Sequence, residues 1–322
     1  MSASSSKLFI IANTSGWALA VAVAAVLATT ACSRPAPSTQ KPAANSAEPA
    51  GAAAANSAPA IDHSAMDMGN ASRAMDPNAP MAQVSAEVSG LFGTGKPVTV
   101  NLHVTDMMSG KPMGPEAFEL AHTQKIHVLS VDPSLTDYSH SHPAPTGKAG
   151  EWSFSFTPKF NRPYRLWLDV KPVGGEHAYV MLTLNDKGAM APVEKTPTLS
   201  ANVGDISARL AFDAPLVVGQ AAMGHLLIER GGKPFAALEP VMGAYSHIVG
   251  ISEDWATVAH VHPMGTEPRK ASDRGGPSID FHLEPGHAGF LKLFAQIQVD
   301  GQDVFLPFGV VVAASRTADA KR

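Results

Sequence analysis

Two stretches of this chain carry one histidine pattern in the same register. The first runs from His127 to His140-Ser141-His142-Pro143, and the second from His247 to His260-Val261-His262-Pro263. In each, the second histidine follows the first by thirteen positions, the third follows two later, and a proline comes next. Four residues, three histidines and a proline, repeated at fixed spacings mark an internal duplication, so the chain is expected to fold as two like units.

The local pattern within each copy reads as strand. Side chains at i and i+2 of a strand share a face, with Cα atoms about 6.7 Å apart. His140 and His142 can therefore converge on one ion, as can His260 and His262. Leu129 and Val131 follow His127 on its own face, and Val249 and Ile251 follow His247. Tyr138 precedes His140 on the same side, as Val258 precedes His260, while Ser139 and Ser141 suit solvent. The expectation is that the three imidazoles of each segment face inward, near the end of a β-hairpin. Buried imidazoles must be hydrogen-bonded to one another, capping each sandwich, or they must hold a metal.

The remaining body continues the strand pattern. Val98, Val100, Leu102 and Val104 alternate with polar residues, and Trp152, Phe154 and Phe156 do the same. Tyr164 to Val170 and Leu291 to Ile297 are matching strands, and Gly110-Lys111-Pro112 is answered by Gly232-Lys233-Pro234. Asp300-Gly301 predicts a tight hairpin into a closing strand, in which Pro307 requires an edge or a bulge. Short strands with turns at regular spacing predict an all-β fold of two tandem Ig-like, Greek-key β-sandwich domains, over residues 84–197 and 198–315, with a tail at 316–322.

What precedes them is different in kind. Trp17 to Leu27 is an apolar run of signal-peptide length after a short polar start containing Lys7, and Ala28-Thr29-Thr30-Ala31 leads into Cys32, the single cysteine. Residues 1–31 resemble a bacterial lipoprotein signal, which implies lipidation of Cys32 and export. The expected location is the cell envelope, facing the periplasm and anchored to membrane through an N-terminal lipid (the outer membrane in a diderm cell). Residues 32–83 are rich in Ala, Pro, Ser and Met and lack an apolar period, so they are expected to be a disordered tether. Within it, Asp62-His63-Ser64-Ala65-Met66-Asp67-Met68 resembles the Met/His motifs of periplasmic copper-resistance proteins. Imidazole and thioether suit copper, making His63, Met66 and Met68 additional candidate ligands.

Composition narrows the chemistry. Thirteen His and thirteen Met stand beside one Cys, so a bound soft metal must rely on imidazole and thioether. With 24 basic against 28 acidic residues and no basic cluster, nucleic acid is not an expected partner.

The segment from Gly243-Ala244-Tyr245-Ser246-His247 through His260-Val261-His262-Pro263, then Phe290 to Val312, resembles a family of secreted or lipid-anchored bacterial β-sandwich proteins with repeated His…His-x-His-Pro segments. That family is often considered heavy-metal associated. The first repeat departs from its pattern, with His122-Thr123-Gln124-Lys125 where small residues surround a glycine.

The candidate metal ligands are His127, His140, His142, His247, His260 and His262, with copper first and zinc as the alternative. His103 and His225 correspond between the repeats, each eight residues before the lysine of its Gly-Lys-Pro turn, but His103 is expected on the polar face of its strand. Asp169 and Gln296 alternate with apolar neighbours and are expected to point outward; His122, His177, His282 and His287 are given no role. The leading function is an exported metal-binding protein that buffers or delivers copper, with a metal-transport or efflux protein as a possible partner. An enzyme of cupin-like or dismutase-like chemistry is the alternative. His260-Val261-His262 with Glu267 has cupin spacing, but Gly147 stands where the first repeat would need the glutamate. A structural envelope module with packed histidines is the third reading.

Overall fold

The period-two alternation is realised as antiparallel strands over residues 79–261 and 263–315, the part of the chain described by the computed structural model. The signal segment, Cys32, the tether through residue 78 with His63, Met66 and Met68, residue His262 and the tail lie outside the described residues, as does the side chain of His260. The first repeat contains β1 (Ala82–Ser89), β2 (Val98–Asp106), β3 (Ile126–Val131), β4 (Tyr138–Ser141), β5 (Ala144–Pro145), β6 (Glu151–Phe156), β7 (Tyr164–Val170) and β8 (Ala178–Leu184). The second contains β9 (Ser200–Val203), β10 (Ile206–Phe212), β11 (Ala222–Arg230), β12 (Lys233–Pro234), β13 (His247–Ser252), β14 (Val258–Val261), β15 (Ser278–Leu283), β16 (Gly289–Val299) and β17 (Gln302–Val312).

Each repeat folds into two sheets. The first has β1-β2-β6-β5 and β4-β3-β7-β8; the second has β12-β11-β10-β9, with β15 also on β11, and β14-β13-β16-β17. In the first repeat, the valines of β2 and the aromatics of β6 pack on Ile126 and Val128 of β3 and on Leu166, Leu168 and Val170 of β7. Ala208, Leu210, Leu226 and Ile228 pack likewise on Ile248, Leu293, Ala295 and Ile297 in the second. These are the two expected β-sandwiches. Pro307 pairs with Phe294 from β17, a strand at the end of its sheet, where the missing N–H costs no ladder bond.

A third core lies between the repeats. It joins Leu129, Val131, Leu135, Tyr138 and Trp167 to Val249, Ile251, Trp255, Val258 and Phe294. The β3 and β7 sheet thus packs its second face on the β13 and β16 sheet. All six residues of β3 and of β13 are buried, as both faces of a central strand must be when it is covered on two sides. Leu135 and Trp255 hold matching places in the two hairpin loops, each with positive φ (56° and 59°). Both side chains are thereby turned into the seam. The Trp255 indole N–H donates to the Val131 carbonyl across it at 3.2 Å, and the Arg165 guanidinium lies 4.3 Å from the Trp255 ring. Tyr138 stacks on Phe294 with ring centroids 4.4 Å apart.

Candidate metal centre

The seam changes where the histidines go. Ile126 and Val128 use one face of β3 for their own sandwich, while His127, Leu129 and Val131 use the other. The expectation that His127 points into its own sandwich is therefore corrected: His127 is wholly buried, but on the face turned to the other repeat. His140 stands opposite Leu129 in the β3–β4 ladder, and His142 lies just beyond the end of β4. In the second repeat His260 takes the same register position, opposite Val249.

His127, His140 and His142 come together. One ring nitrogen from each lies within 4.8 Å of the other two. For neutral rings, the hydrogen bonds on the far nitrogens assign the protons. His127 Nε2 is 2.8 Å from the Ala121 carbonyl oxygen, which can only accept, so Nε2 holds the proton and Nδ1 a lone pair. His140 Nδ1 is 3.0 Å from Oε1 of Gln296; with the amide oxygen facing the ring, Nδ1 is protonated and Nε2 holds the lone pair. Yet His127 Nδ1 and His140 Nε2 are 3.1 Å apart. Two neutral rings with these tautomers present lone pair to lone pair and cannot hydrogen-bond.

A shared cation resolves that contact. Nitrogens bound to one ion at about 2.05 Å are separated by about 2.9 Å at a right angle and about 3.3 Å in a tetrahedron. The observed separation falls between these values. A third basic atom is at hand: Nε2 of His142 is buried with no hydrogen-bond partner among the described residues. Burial, with a smaller contribution from His127, pushes the His142 imidazole down to about 4, so it stays neutral and able to ligate well below the usual histidine range. The Ala121 and Gln296 contacts on the far ring nitrogens are the kind that orient metal-binding imidazoles.

His247 does not stand apart in a second group. It is 3% exposed, and its ring centroid lies 4.9 Å from that of His140. The second expected triad cannot be traced beyond His247, since the His260 side chain and His262 lie outside the described residues; His247 itself joins the rings of the first triad in one array along the seam. His122, expected to have no role, also belongs to it, with centroids 5.9 Å from His127 and 6.0 Å from His247. It is delivered by the tight turn Ala121–Gln124, where His122 and Thr123 both have positive φ (44° and 74°). The equivalent turn, Val241–Ala244, has Met242 and Gly243 at φ of 52° and 84°. Non-glycine residues in that region carry backbone strain, which packing around the array must offset.

Asp169 and Gln296 are corrected too. They are 1% and 3% exposed and stand opposite His127 and His247 in their ladders. Asp169 accepts a hydrogen bond from His177 Nε2, giving that histidine a partner as well. A signal for this was present: Trp167 shares the supposed outer face with Asp169, and Phe294 shares it with Gln296, and large aromatics do not line a solvent face by rule. His225 stays on the outer sheet between Asp280 and Asp213, at 2.8 and 3.0 Å, and the two carboxylates raise its pKa. His103 is similarly placed between Glu87 and Glu151, at 3.9 and 4.0 Å.

Fold and site together define a class: a duplicated β-sandwich protein with an imidazole array in the seam between its halves. The chain belongs to the family described as Domain of unknown function (DUF8832), whose model matches residues 80–188 and again 201–314. No curated protein matches the sequence. Among solved structures, a mutant alpha-2-macroglobulin from Salmonella is similar at 10% identity and a TM-score of 0.25, over 74% of this chain and 17% of its own. MtrC from Shewanella baltica OS185 is similar at 6% identity and a TM-score of 0.23, over 75% of this chain and 71% of its own. The present chain thus spans only a small part of the alpha-2-macroglobulin, and neither likeness carries an argument about chemistry.

Proposed function

We propose that the protein is an exported metal carrier of the cell envelope that holds copper at the His127, His140 and His142 site and buffers or delivers it. The observation that supports this best is the approach of His127 Nδ1 to His140 Nε2 at 3.1 Å, each ring held from its far nitrogen, with a third buried imidazole nitrogen close by. A shared proton would relieve the same contact but engages only two of the three nitrogens, whereas a metal uses all three. Imidazole sites bind Cu(II) more tightly than zinc in the general order of divalent ions, which puts copper first. The Met/His segment around His63, Met66 and Met68, on a lipid tether from Cys32, would capture or pass on the ion close to a membrane-bound transporter.

The test is direct. Protein recovered without an affinity tag from the envelope is analysed for metals, and metal-free protein is titrated with copper(II) beside His140→Ala/His142→Ala. Copper at about one equivalent in wild type, lost in the double variant, supports the reading. Equal binding by both, or none by wild type, ends it.

A further inference from the structure

His247 belongs to the second repeat, but its ring neighbours belong to the first. It lies 4.9 Å from His140, 6.0 Å from His122 and 6.4 Å from His127, the last within 5° of parallel. The cause is in the topology. β3 and β13 each place a histidine at one end of the seam face, ahead of Leu129 and Val131 in one and Val249 and Ile251 in the other. Packing those apolar residues on one another carries His127 and His247 into the same region. Gln296, the ladder neighbour of His247, already crosses the seam to accept from His140.

The spacing suits a shared ion. A ring centroid lies about 3.2 Å from a metal bound through its nitrogen, so two rings on one ion have centroids about 5–6.4 Å apart as the bond angle opens from tetrahedral to linear. His247 stands at or close to that range from both His140 and His127. We propose that His247 supplies a fourth ligand to the ion held by His127, His140 and His142, so that the metal is bound between the repeats and fastens one to the other. The inference rests on the proposed metal site and adds to it a ligand and a consequence. The close-set nitrogens are those of the first repeat alone, and His247 joins them by closing toward His140. A ligand that binds only the docked arrangement stabilises it, so metal must raise the resistance of the seam to opening.

The experiment uses the full chain with its histidines labelled with nitrogen-15. One equivalent of zinc(II), a diamagnetic probe, is added and the imidazole nitrogens are followed by NMR. The expected result is a metal-induced change at one nitrogen of His127, His140, His142 and His247 together. Copper(II) is then titrated into wild type, His142→Gln and His247→Gln. His247→Gln is expected to bind copper at least tenfold more weakly, with one fewer nitrogen in the copper EPR spectrum. It should also lose most of the metal-induced rise in the urea midpoint reported by tryptophan fluorescence. If wild type binds neither metal, the carrier reading itself has failed. If wild type binds and His142→Gln does not, while His247→Gln matches wild type and the His247 nitrogens stay unmoved, the site belongs to the first repeat and the inter-repeat clamp is wrong. The NMR result on wild type decides the matter even if His247→Gln does not fold.

Discussion

Replacing Gln296 by leucine separates metal affinity from protein stability. Gln296 is 3% exposed and its Oε1 accepts from His140 Nδ1 at 3.0 Å, which keeps the His140 lone pair on Nε2, facing His127 Nδ1 at 3.1 Å. In Gln296→Leu that control is lost, and the proton of His140 can move to Nε2. The ring then donates to His127 Nδ1 and makes an ordinary neutral hydrogen bond. The metal-free protein should therefore lose little stability, because a bond worth about 0.5–1.5 kcal/mol net replaces the one removed. A metal, by contrast, must now break that bond and reverse the tautomer before it can enter. Loss of such an orienting partner typically costs about 10–100-fold in affinity, or about 1.4–2.7 kcal/mol. Gln296→Glu makes the opposite comparison. A carboxylate can only accept, so the tautomer is enforced, and metal should bind better than in the leucine variant although the buried charge lowers metal-free stability.

The assay is competition of each variant with a chelator for copper(II) near neutral pH, beside urea unfolding of the metal-free forms. Affinity reduced at least tenfold in Gln296→Leu with a nearly unchanged urea midpoint is the expected pattern. A leucine variant that binds copper as tightly as wild type would show that the amide does not set the ring, and the argument from opposed lone pairs would fall.

Four further outcomes are expected. Trp255→Ala removes an indole that is 7% exposed in the seam and bonded to Val131; it should cost about 3–5 kcal/mol in urea unfolding, and a loss below about 1 kcal/mol would mean the repeats are barely coupled. In metal-free protein, the folded state keeps His142 neutral to about pH 4 while the unfolded chain takes up its proton near 6.5, so this residue's contribution is complete above 6.5 and declines as pH falls toward 4. His142→Leu should flatten that limb of the stability–pH curve, and an unchanged slope counts against the assignment. His225 runs the other way: Asp280 and Asp213 raise its pKa, so its contribution is full below about 6.5 and fades as pH rises through the folded value; an NMR titration midpoint at or below 6.5 would contradict this. Asp132, fully buried, accepts from Ser134, Thr136, Asp137 and Arg162; Asp132→Ala should cost about 3 kcal/mol in thermal or urea unfolding by stranding Arg162 and the loop N–H groups, and a neutral substitution would mean water replaces the carboxylate freely.

The duplication, the strands and the two-sandwich plan were legible because each rests on local rules: period-two alternation, turn residues, and a repeat visible in register. The direction of the histidines was not, and the reason is specific. Alternation tells which residues share a face but not what covers that face. For β3 the two candidate faces were both apolar, Ile126 with Val128 and Leu129 with Val131. Such a strand is buried on both sides, and only its partner decides which side is the sandwich and which the seam. Asp169 and Gln296 look outward in the sequence for a like reason: they alternate with apolar neighbours and share a face with Arg165 and Lys292, charges that suit solvent. In the fold Arg165 instead donates to the Trp255 carbonyl and stacks on its ring, and burial lowers the Lys292 pKa. Trp167 and Phe294, on the same face as those charges, are the discriminating residues: a strand with an aromatic in the middle of its second face needs a second cover. Two such strands at matching places in two repeats can cover each other. From that step the meeting of His247 with His140 follows, and on it rests the proposal that an ion held by the first repeat's three histidines also takes a ligand from the second.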